Sequence, residues 1–345
     1  MKSLLDQAGL WFESGREVAL ATVIRTWRSS PRQAGAMMAI TDQGEISGSV
    51  SGGCVESAVI DTAQQVLAEG GAARLHFGVA HEEAWEVGLS CGGEIDVFIR
   101  RVTPEHLESW RDAIKKEERF CIALVTEGDG SQRGLDWSIF GSGEVIKIAS
   151  EDNPPEELRT LAASAALNGK TDLIRFDTGE LQEVFLQVIE LPRKLVLVGG
   201  VHIAIPLSSL ADTLGFEVTV IDPRRLFGTA ARFPGVKRLL QEWPGEAFEK
   251  ITLTGATAVV MLTHDPKIDD PAIKIVLESP AFYLGALGSR KTHQKRLKRL
   301  TDQGVAPDRL KDIYAPVGLD LGASSPEEIA LAIMAEVIKV WHQKG

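Results

Sequence analysis

Apolar residues in the first part of the chain come in short runs, over residues 18–27, 35–40 and 45–50, broken at turns such as Asp42-Gln43-Gly44, and this pattern predicts strands. At Val55 the period changes. Val55, Ala58, Val59, Ala63, Val66 and Leu67 fall at helical spacing and Gly70-Gly71 ends the run, so a helix is predicted there. Ile95, Val97 and Ile99 then alternate in a strand over 94–100. A charged amphipathic helix over 105–119, strands over 120–126 and 137–148 across a Gly-rich turn, a helix over 156–167 and a strand over 184–189 follow.

From Lys194 onward strands and helices alternate, the signature of a parallel sheet covered on both faces. Strands are predicted over 195–198, 217–221, 257–262 and 282–287, with a crossover helix over 203–214. Ser325, Pro326 and Glu328 read as a capping box that opens a last helix. The fold class expected is α/β: a C-terminal Rossmann-like doubly wound parallel sheet, residues 191–345, preceded by an N-terminal α+β domain, residues 1–190. Leu191-Pro192-Arg193 is the linker.

Composition narrows the function. A chain of 345 residues fits two domains of ordinary size. Its formal net charge of −11 argues against a general nucleic-acid or anionic-membrane binder. No apolar run is long enough to span a bilayer, and the first residues lack a basic region followed by an apolar block, so a cytoplasmic protein is expected. Three cysteines make no disulfide framework and leave the thiols available.

Two of those cysteines stand in mirrored turns, Ser51-Gly52-Gly53-Cys54 and Ser90-Cys91-Gly92-Gly93. Either they are small hydrophobes at tight turns or they are placed for chemistry. Cys54 falls at a predicted helix start, where unpaired amides and the helix dipole favour a thiolate. Cys91 lies on a strand-entry loop, and Cys121 opens an apolar strand as a core residue. Zinc held by Cys54 and Cys91 with His76 or His81 matches no compact zinc module.

In the second domain Gly199-Gly200-Val201-His202-Ile203-Ala204 occupies the place of a dinucleotide fingerprint, with Asp222 where a ribose-binding acid would stand. Val201 replaces the middle glycine that lets a pyrophosphate approach, which counts against tight NAD(P) binding. His264, Asp265, Asp269 and Asp270 form a cluster with metal-binding residue types, but Pro266 and Pro271 are expected to break its geometry into a hydrogen-bonding loop. Ser289, Arg290 and Lys291 open a helix after an apolar strand, an arrangement suited to anions, while 295–299 reads as a solvated cationic face.

The segments GSVSGGCVE (48–56), AWEVGLSCGG (84–93), LTHDPKIDDP (262–271), YLGALGSRKT (283–292) and YAPVGLDLGASSP (314–326) closely resemble the XdhC/CoxI family of molybdenum-hydroxylase accessory proteins. The resemblance covers both ends of the chain and leaves 104–190 without a distinctive motif. It implies a chaperone that binds molybdenum cofactor, as molybdopterin or a dinucleotide form. Such a chaperone supports exchange of an oxo ligand for sulfur and delivers the cofactor to xanthine dehydrogenase or a related molybdenum hydroxylase of purine catabolism. A cysteine desulfurase is the implied sulfur donor, and a homodimer is a further expectation. On this resemblance Cys54 and Cys91 are the reactive thiols and transient molybdenum ligands. The expected cofactor contacts are Gly52, Gly53, Gly92, Gly93, Gly199, Gly200, His202, Asp222, Arg224, His264, Asp265, Gly285, Gly288, Ser289 and Arg290. The alternative is an NAD(P)-dependent oxidoreductase built on the Rossmann-like domain.

Overall fold

The computed structural model describes residues 1–28, 32–53, 55–78, 93–128, 132–146, 153–177 and 181–344. Cys54, Cys91 and Gly92 lie outside the described residues, and so does His81. The chain forms two units, Met1–Leu191 and Pro192–Gly345.

The first unit runs α1 (Lys2–Glu13), β1 (Val18–Trp27), β2 (Met37–Thr41), β3 (Ile46–Gly48), α2 (Glu56–Glu69), β4 (Ala72–Phe77) and β5 (Glu94–Val102). It then continues with α3 (Pro104–Lys115), β6 (Phe120–Gly128), β7 (Asp136–Phe140), β8 (Val145–Ile146), α4 (Glu156–Asn168), β9 (Asp172–Arg175) and β10 (Leu181–Ile189). The second series repeats the first. Its two sheets have matching orders, β3-β2-β1-β5-β4 and β8-β7-β6-β10-β9. Even the turns recur: the Gly35 amide donates to the Val23 carbonyl at 2.7 Å and Gly134 to Val125 at 2.9 Å. Likewise Gly44 donates to Thr41 at 3.0 Å and Gly143 to Phe140 at 2.9 Å.

Each repeat builds its core in the same way. The apolar stripe of α2, with Val59, Ala63, Val66 and Leu67, packs on Val97, Ile99 and Val23; α4 packs Leu158 and Ala162 on Cys121, Ala123 and Val184. Helices α1 and α3 join the repeats through Leu5, Ala8, Leu107 and Trp110, and Ile24, Phe98, Leu124 and Phe185 meet between the sheets. Burying side chains of this size contributes about 1.5–3 kcal/mol each before chain entropy is set against it. The predicted strand over 137–148 is two strands, because the turn at Gly143 folds β8 back on β7. Helix α1 and the short strands β4 and β9 are elements the pattern did not reveal.

The second unit alternates as β11 (Lys194–Val198), α5 (Ala204–Thr213), β12 (Glu217–Ile221), β13 (Arg238–Leu240), α6 (Pro244–Glu249), β14 (Thr257–Met261), α7 (Pro266–Leu277), β15 (Tyr283–Ala286), α8 (Arg290–Asp302), α9 (Pro307–Leu310), β16 (Ile313–Tyr314) and α10 (Pro326–Lys344). Its six strands are all parallel, in the order β13-β12-β11-β14-β15-β16, so the winding reverses between β11 and β14. Doubly wound sheets bind ligands at the carboxyl ends beside such a reversal. The central strands are apolar on both faces: Leu195, Leu197, Val218 and Val220 pack under α5 and α10, while Val196, Val198, Val259 and Met261 pack under α7. The capping box of α10 is present, with Ser325 Oγ accepting the Glu328 amide at 3.2 Å and the Glu328 carboxylate accepting the Ser325 amide at 3.1 Å.

One expectation is overturned. Pro266 and Pro271 do not break the chain into a loop, since both lie inside α7. Pro266 takes the first turn, where its missing N–H costs nothing, and burial of Ile268, Ala272, Ile273 and Val276 holds the helix through Pro271.

Candidate functional site

Four strand ends meet in one crevice of the second unit. A Cβ on Gly199, after β11, would lie 2.6 Å from Thr263 Cγ2, after β14, and one on Gly288, after β15, would lie 3.8 Å from His264 Nδ1. Arg224 follows β12. Its hydrogen bond to Asp222 chiefly, and then the charges of Asp222, Asp265 and Asp269, raise its already high pKa against the effect of burial. Gly199, Gly200, Asp222, Arg224, His264, Asp265, Gly288 and Ser289 thus come from four loops at the carboxyl ends of β11, β12, β14 and β15, which are neighbours in the sheet.

The β11 and β12 ends are bound to one another. Asp222 is fully buried, and its carboxylate accepts the Gly200 amide at 2.8 Å, the Arg224 amide at 2.9 Å, Arg224 Nε at 2.9 Å and Arg224 Nη2 at 2.7 Å. Burial pushes this carboxyl up, but the Arg224 and Gly200 hydrogen bonds outweigh it and hold it below the usual range. Arg232 Nη1 donates to the Gly200 carbonyl at 2.6 Å and the Phe227 carbonyl at 2.7 Å. The Arg224 guanidinium lies 4.1 Å from the centre of the Phe227 ring.

The β14 and β15 ends are built differently. Asp265 caps α7, its carboxylate accepting the Lys267 amide at 2.9 Å. Asp269 and Asp270 are buried and bound within the protein: Thr263 donates to Asp269, Arg296 Nη2 lies 3.5 Å from it, and Arg299 forms a fork on Asp270 at 2.9 and 3.0 Å. The acidic cluster is therefore a set of packed ion pairs, and among the described residues no group of three candidate ligands could hold a metal. Burial first, then the neighbouring Asp270, pushes Asp269 up to about 6 despite Thr263 and Arg296. Arg296 is 1% exposed and so departs from the solvated face that the charges of 295–299 suggested, while Lys295 and Lys298 are exposed as expected. Arg296 Nη2 also donates to the Leu287 carbonyl at 3.0 Å.

Ser289 caps α8, accepting the Thr292 amide at 3.2 Å, and no acidic residue stands in the first turn. The exposed Arg290 and Lys291 follow. One of the expected contacts sits elsewhere. Gly285 lies inside β15 opposite Val260, where a Cβ would come within 2.5 Å of Val317, so its role is packing. His202 is exposed in the same turn as Gly199 and Gly200, between β11 and α5.

In the first unit Glu56 fills the turn that precedes it. Its carboxylate accepts Ser49 Oγ at 2.9 Å and the amides of Ser51 at 3.0 Å, Gly52 at 2.9 Å, Gly53 at 2.9 Å and Val55 at 3.2 Å, along with the Ser51 hydroxyl. Burial raises this carboxyl, but the Ser51, Ser49 and Gly53 bonds prevail and hold it at about 2. The amides around position 54, expected to be unpaired, are thus already neutralised by an anion of the chain. Gly93 is buried at the entry to β5. Sequence reasoning missed Glu56 and Arg232. An acid in the first helical turn after the glycines was the available signal for Glu56; nothing in the pattern marked Arg232.

Comparison with known proteins agrees with this division. The model for the XdhC Rossmann domain matches residues 195–337, and that for the XdhC and CoxI family matches residues 11–78. The chain is 29% identical over 335 residues, 95% of its length and 94% of the relative's, to a Bacillus subtilis (strain 168) protein named as a probable xanthine dehydrogenase subunit. It is 26% identical over 328 residues, 95% of its length and 84% of the relative's, to the Escherichia coli (strain K12) molybdenum cofactor insertion chaperone PaoD. A crystal structure described as a xanthine dehydrogenase from Bacillus halodurans shares the fold with a TM-score of 0.78 at 24% identity, covering 99% of this chain and 96% of that one. Family models for XdhC and for XdhC and CoxI proteins thus match both ends of the chain, and relatives align along nearly all of its length.

Proposed function

We propose that the protein is a molybdenum-cofactor accessory factor that holds the cofactor as cargo in the C-terminal crevice and passes it to xanthine dehydrogenase or a related molybdenum hydroxylase. The names of the two relatives support the cargo and the class of recipient. The observation that carries the reading is the convergence of loops beside the reversal of strand order, with Arg224 and Arg290 as cations and a helix start free of acid at Ser289. The cofactor carries phosphate and a flat fused ring. Cations with helix amides suit the phosphate. Sulfuration of the cargo belongs to the same proposal: Cys54 and Cys91 supply thiol chemistry, with a cysteine desulfurase as the sulfur source.

The test is retention of released cofactor by the purified full chain on gel filtration, read by fluorescence of the oxidised pterin. Stoichiometric retention that falls about tenfold in Arg290→Ala supports the proposal, since loss of one charged contact is worth a factor of that order. No retention by the folded wild-type chain would sink it. The Rossmann-type strand order also favours a nicotinamide oxidoreductase as a second reading. Asp222, with four donors already on its carboxylate, counts against it.

A further inference from the structure

The β12 end of the crevice has exchanged one kind of recognition for another. In dinucleotide-binding sheets the acid at this position accepts the ribose hydroxyls, and the amides of the glycine turn face the pyrophosphate. A carboxylate offers about four acceptor sites. Here Asp222 gives them to the Gly200 amide, the Arg224 amide, Arg224 Nε and Arg224 Nη2. The same bond withdraws the Gly200 amide from any ligand. A Cβ at Gly200 would meet the Phe227 carbonyl at 2.6 Å, so the loop after β12 lies directly on the turn, and Arg232 fastens both carbonyls.

What this arrangement presents to the crevice is a cation. Arg224 Nε and Nη2 are committed to Asp222, and Phe227 fixes the plane of the guanidinium at 4.1 Å. Its Nη1 has no hydrogen-bond partner among the described residues, and the side chain is 40% exposed. A guanidinium held on one edge by a carboxylate is preorganised to bind an anion with its remaining donor.

We infer that this half of the crevice recognises a phosphomonoester through Arg224, with Asp222 as the residue that positions it, and does not accept the ribose diol of a nucleotide. The inference rests on the proposed function and deepens it: the cargo is the monophosphate form of the cofactor, not a dinucleotide form.

Calorimetric titration of the full chain with phenyl phosphate, NAD+ and adenosine tests this without using the cofactor. Phenyl phosphate binds at least about tenfold tighter than either ribose-bearing probe, and Arg224→Gln weakens it by about tenfold. Asp222→Asn weakens it as well, with the Arg224 Nε–H resonance moving in the ligand-free variant as the fork on the carboxylate is altered. Arg225→Gln makes the same charge change one residue away and leaves the affinity within about twofold, which separates a specific contact from general charge. Equal or tighter binding of NAD+ or adenosine, or an unchanged affinity in a folded Arg224→Gln variant, overturns the inference. Cofactor retention together with tight NAD+ binding would remove the inference and spare the proposed function; phenyl phosphate selectivity without cofactor retention would do the reverse.

Discussion

Opposite Asp96 in the first repeat stands His76 on β4; opposite Glu183 in the second repeat stands Arg175 on β9. The two carboxylates hold equivalent places next to the central strand, and both receive Arg74, at 2.6 Å and 2.8 Å. Glu183 is sealed by Arg175 at 3.1 Å and the Thr126 hydroxyl at 2.7 Å. Asp96 instead accepts His76 Nδ1 at 2.7 Å; the outer partner is solvated in both copies, His76 at 59% and Arg175 at 64% exposed, but only Arg175 carries a permanent charge. Nearby, the connection from β4 to β5 spans residues 78–93, while the one from β9 to β10 spans only 176–180. Long connections in compact domains are where function concentrates. The comparison teaches that one topology serves twice in the first unit, with a buried carboxylate held by two arginines in the second copy and by one arginine and a histidine in the first, which carries every glycine and cysteine motif of the family resemblance found in this unit.

The largest test of that contrast is chemical. Cys121, in the second repeat, is buried, and burial pushes its thiol up to about 12. Its alkylation by iodoacetamide at neutral pH should run about a thousandfold slower than in the unfolded chain, since only the thiolate reacts. Mass mapping of native protein that found Cys121 labelled as fast as Cys54 or Cys91 would break the contrast between a core cysteine in the second copy and available thiols in the first.

Next comes the pair of carboxylates. Glu183→Gln should lower stability in urea by about 3 kcal/mol, the cost of uncovering a buried charge network. Asp96→Asn should cost roughly half as much, because only one of its two partners, Arg74, carries a permanent charge. Equal losses would mean that His76 holds its carboxylate as firmly as Arg175 does.

The smallest effect concerns the helix starts. Glu56→Gln should cost about 1–2 kcal/mol, the size of a strong cap. Glu156→Gln, at the start of α4, removes an exposed pair with Arg159 and should change stability by less than about 0.5 kcal/mol. Because folding lowers the Glu56 pKa to about 2, its contribution is complete above its ordinary value near 4.5 and fades as pH falls from there towards 2. The acid limb of the stability profile should therefore shrink in Glu56→Gln and persist in Glu156→Gln.

The alternation of strands and helices made the second unit legible, since its central strands are apolar runs and α5 carries a helical period, whereas the prolines of α7 made that helix read as a loop. The turn at Gly199-Gly200 and the cap of α10 were legible for the same local reasons. The duplication of the first unit was not, because it is written in pairing and turn hydrogen bonds while the aligned residues differ in kind. Strands β13 and β16 are too short to show a period. At the candidate site, sequence placed the loops but not their wiring. The glycine turn at 51–53 reads as a helix start with unpaired amides and that at Gly199-Gly200 as a dinucleotide-type turn, yet a carboxylate of the chain occupies both. The turns before α5 and α8 both combine glycine with a first helical turn free of acid, which was readable; that the one before α5 is filled from the end of β12 by Asp222 was not. The burial of Arg296 was not, since a cation in a run of cations gives no sign of facing inward.

The glycines of the two filled turns differ in what forbids their replacement. Gly52 has φ of +84° with nothing within 4 Å of where a Cβ would stand, so the constraint there is conformational. Asparagine, which tolerates that region, is an available neighbour in mutational drift. Gly200 is constrained by space, because the Phe227 carbonyl occupies the position of its side chain. No single replacement satisfies it. Descendants of this chain can lose the glycine at position 52 one step at a time, whereas position 200 and the backbone near Phe227 can change only as a pair.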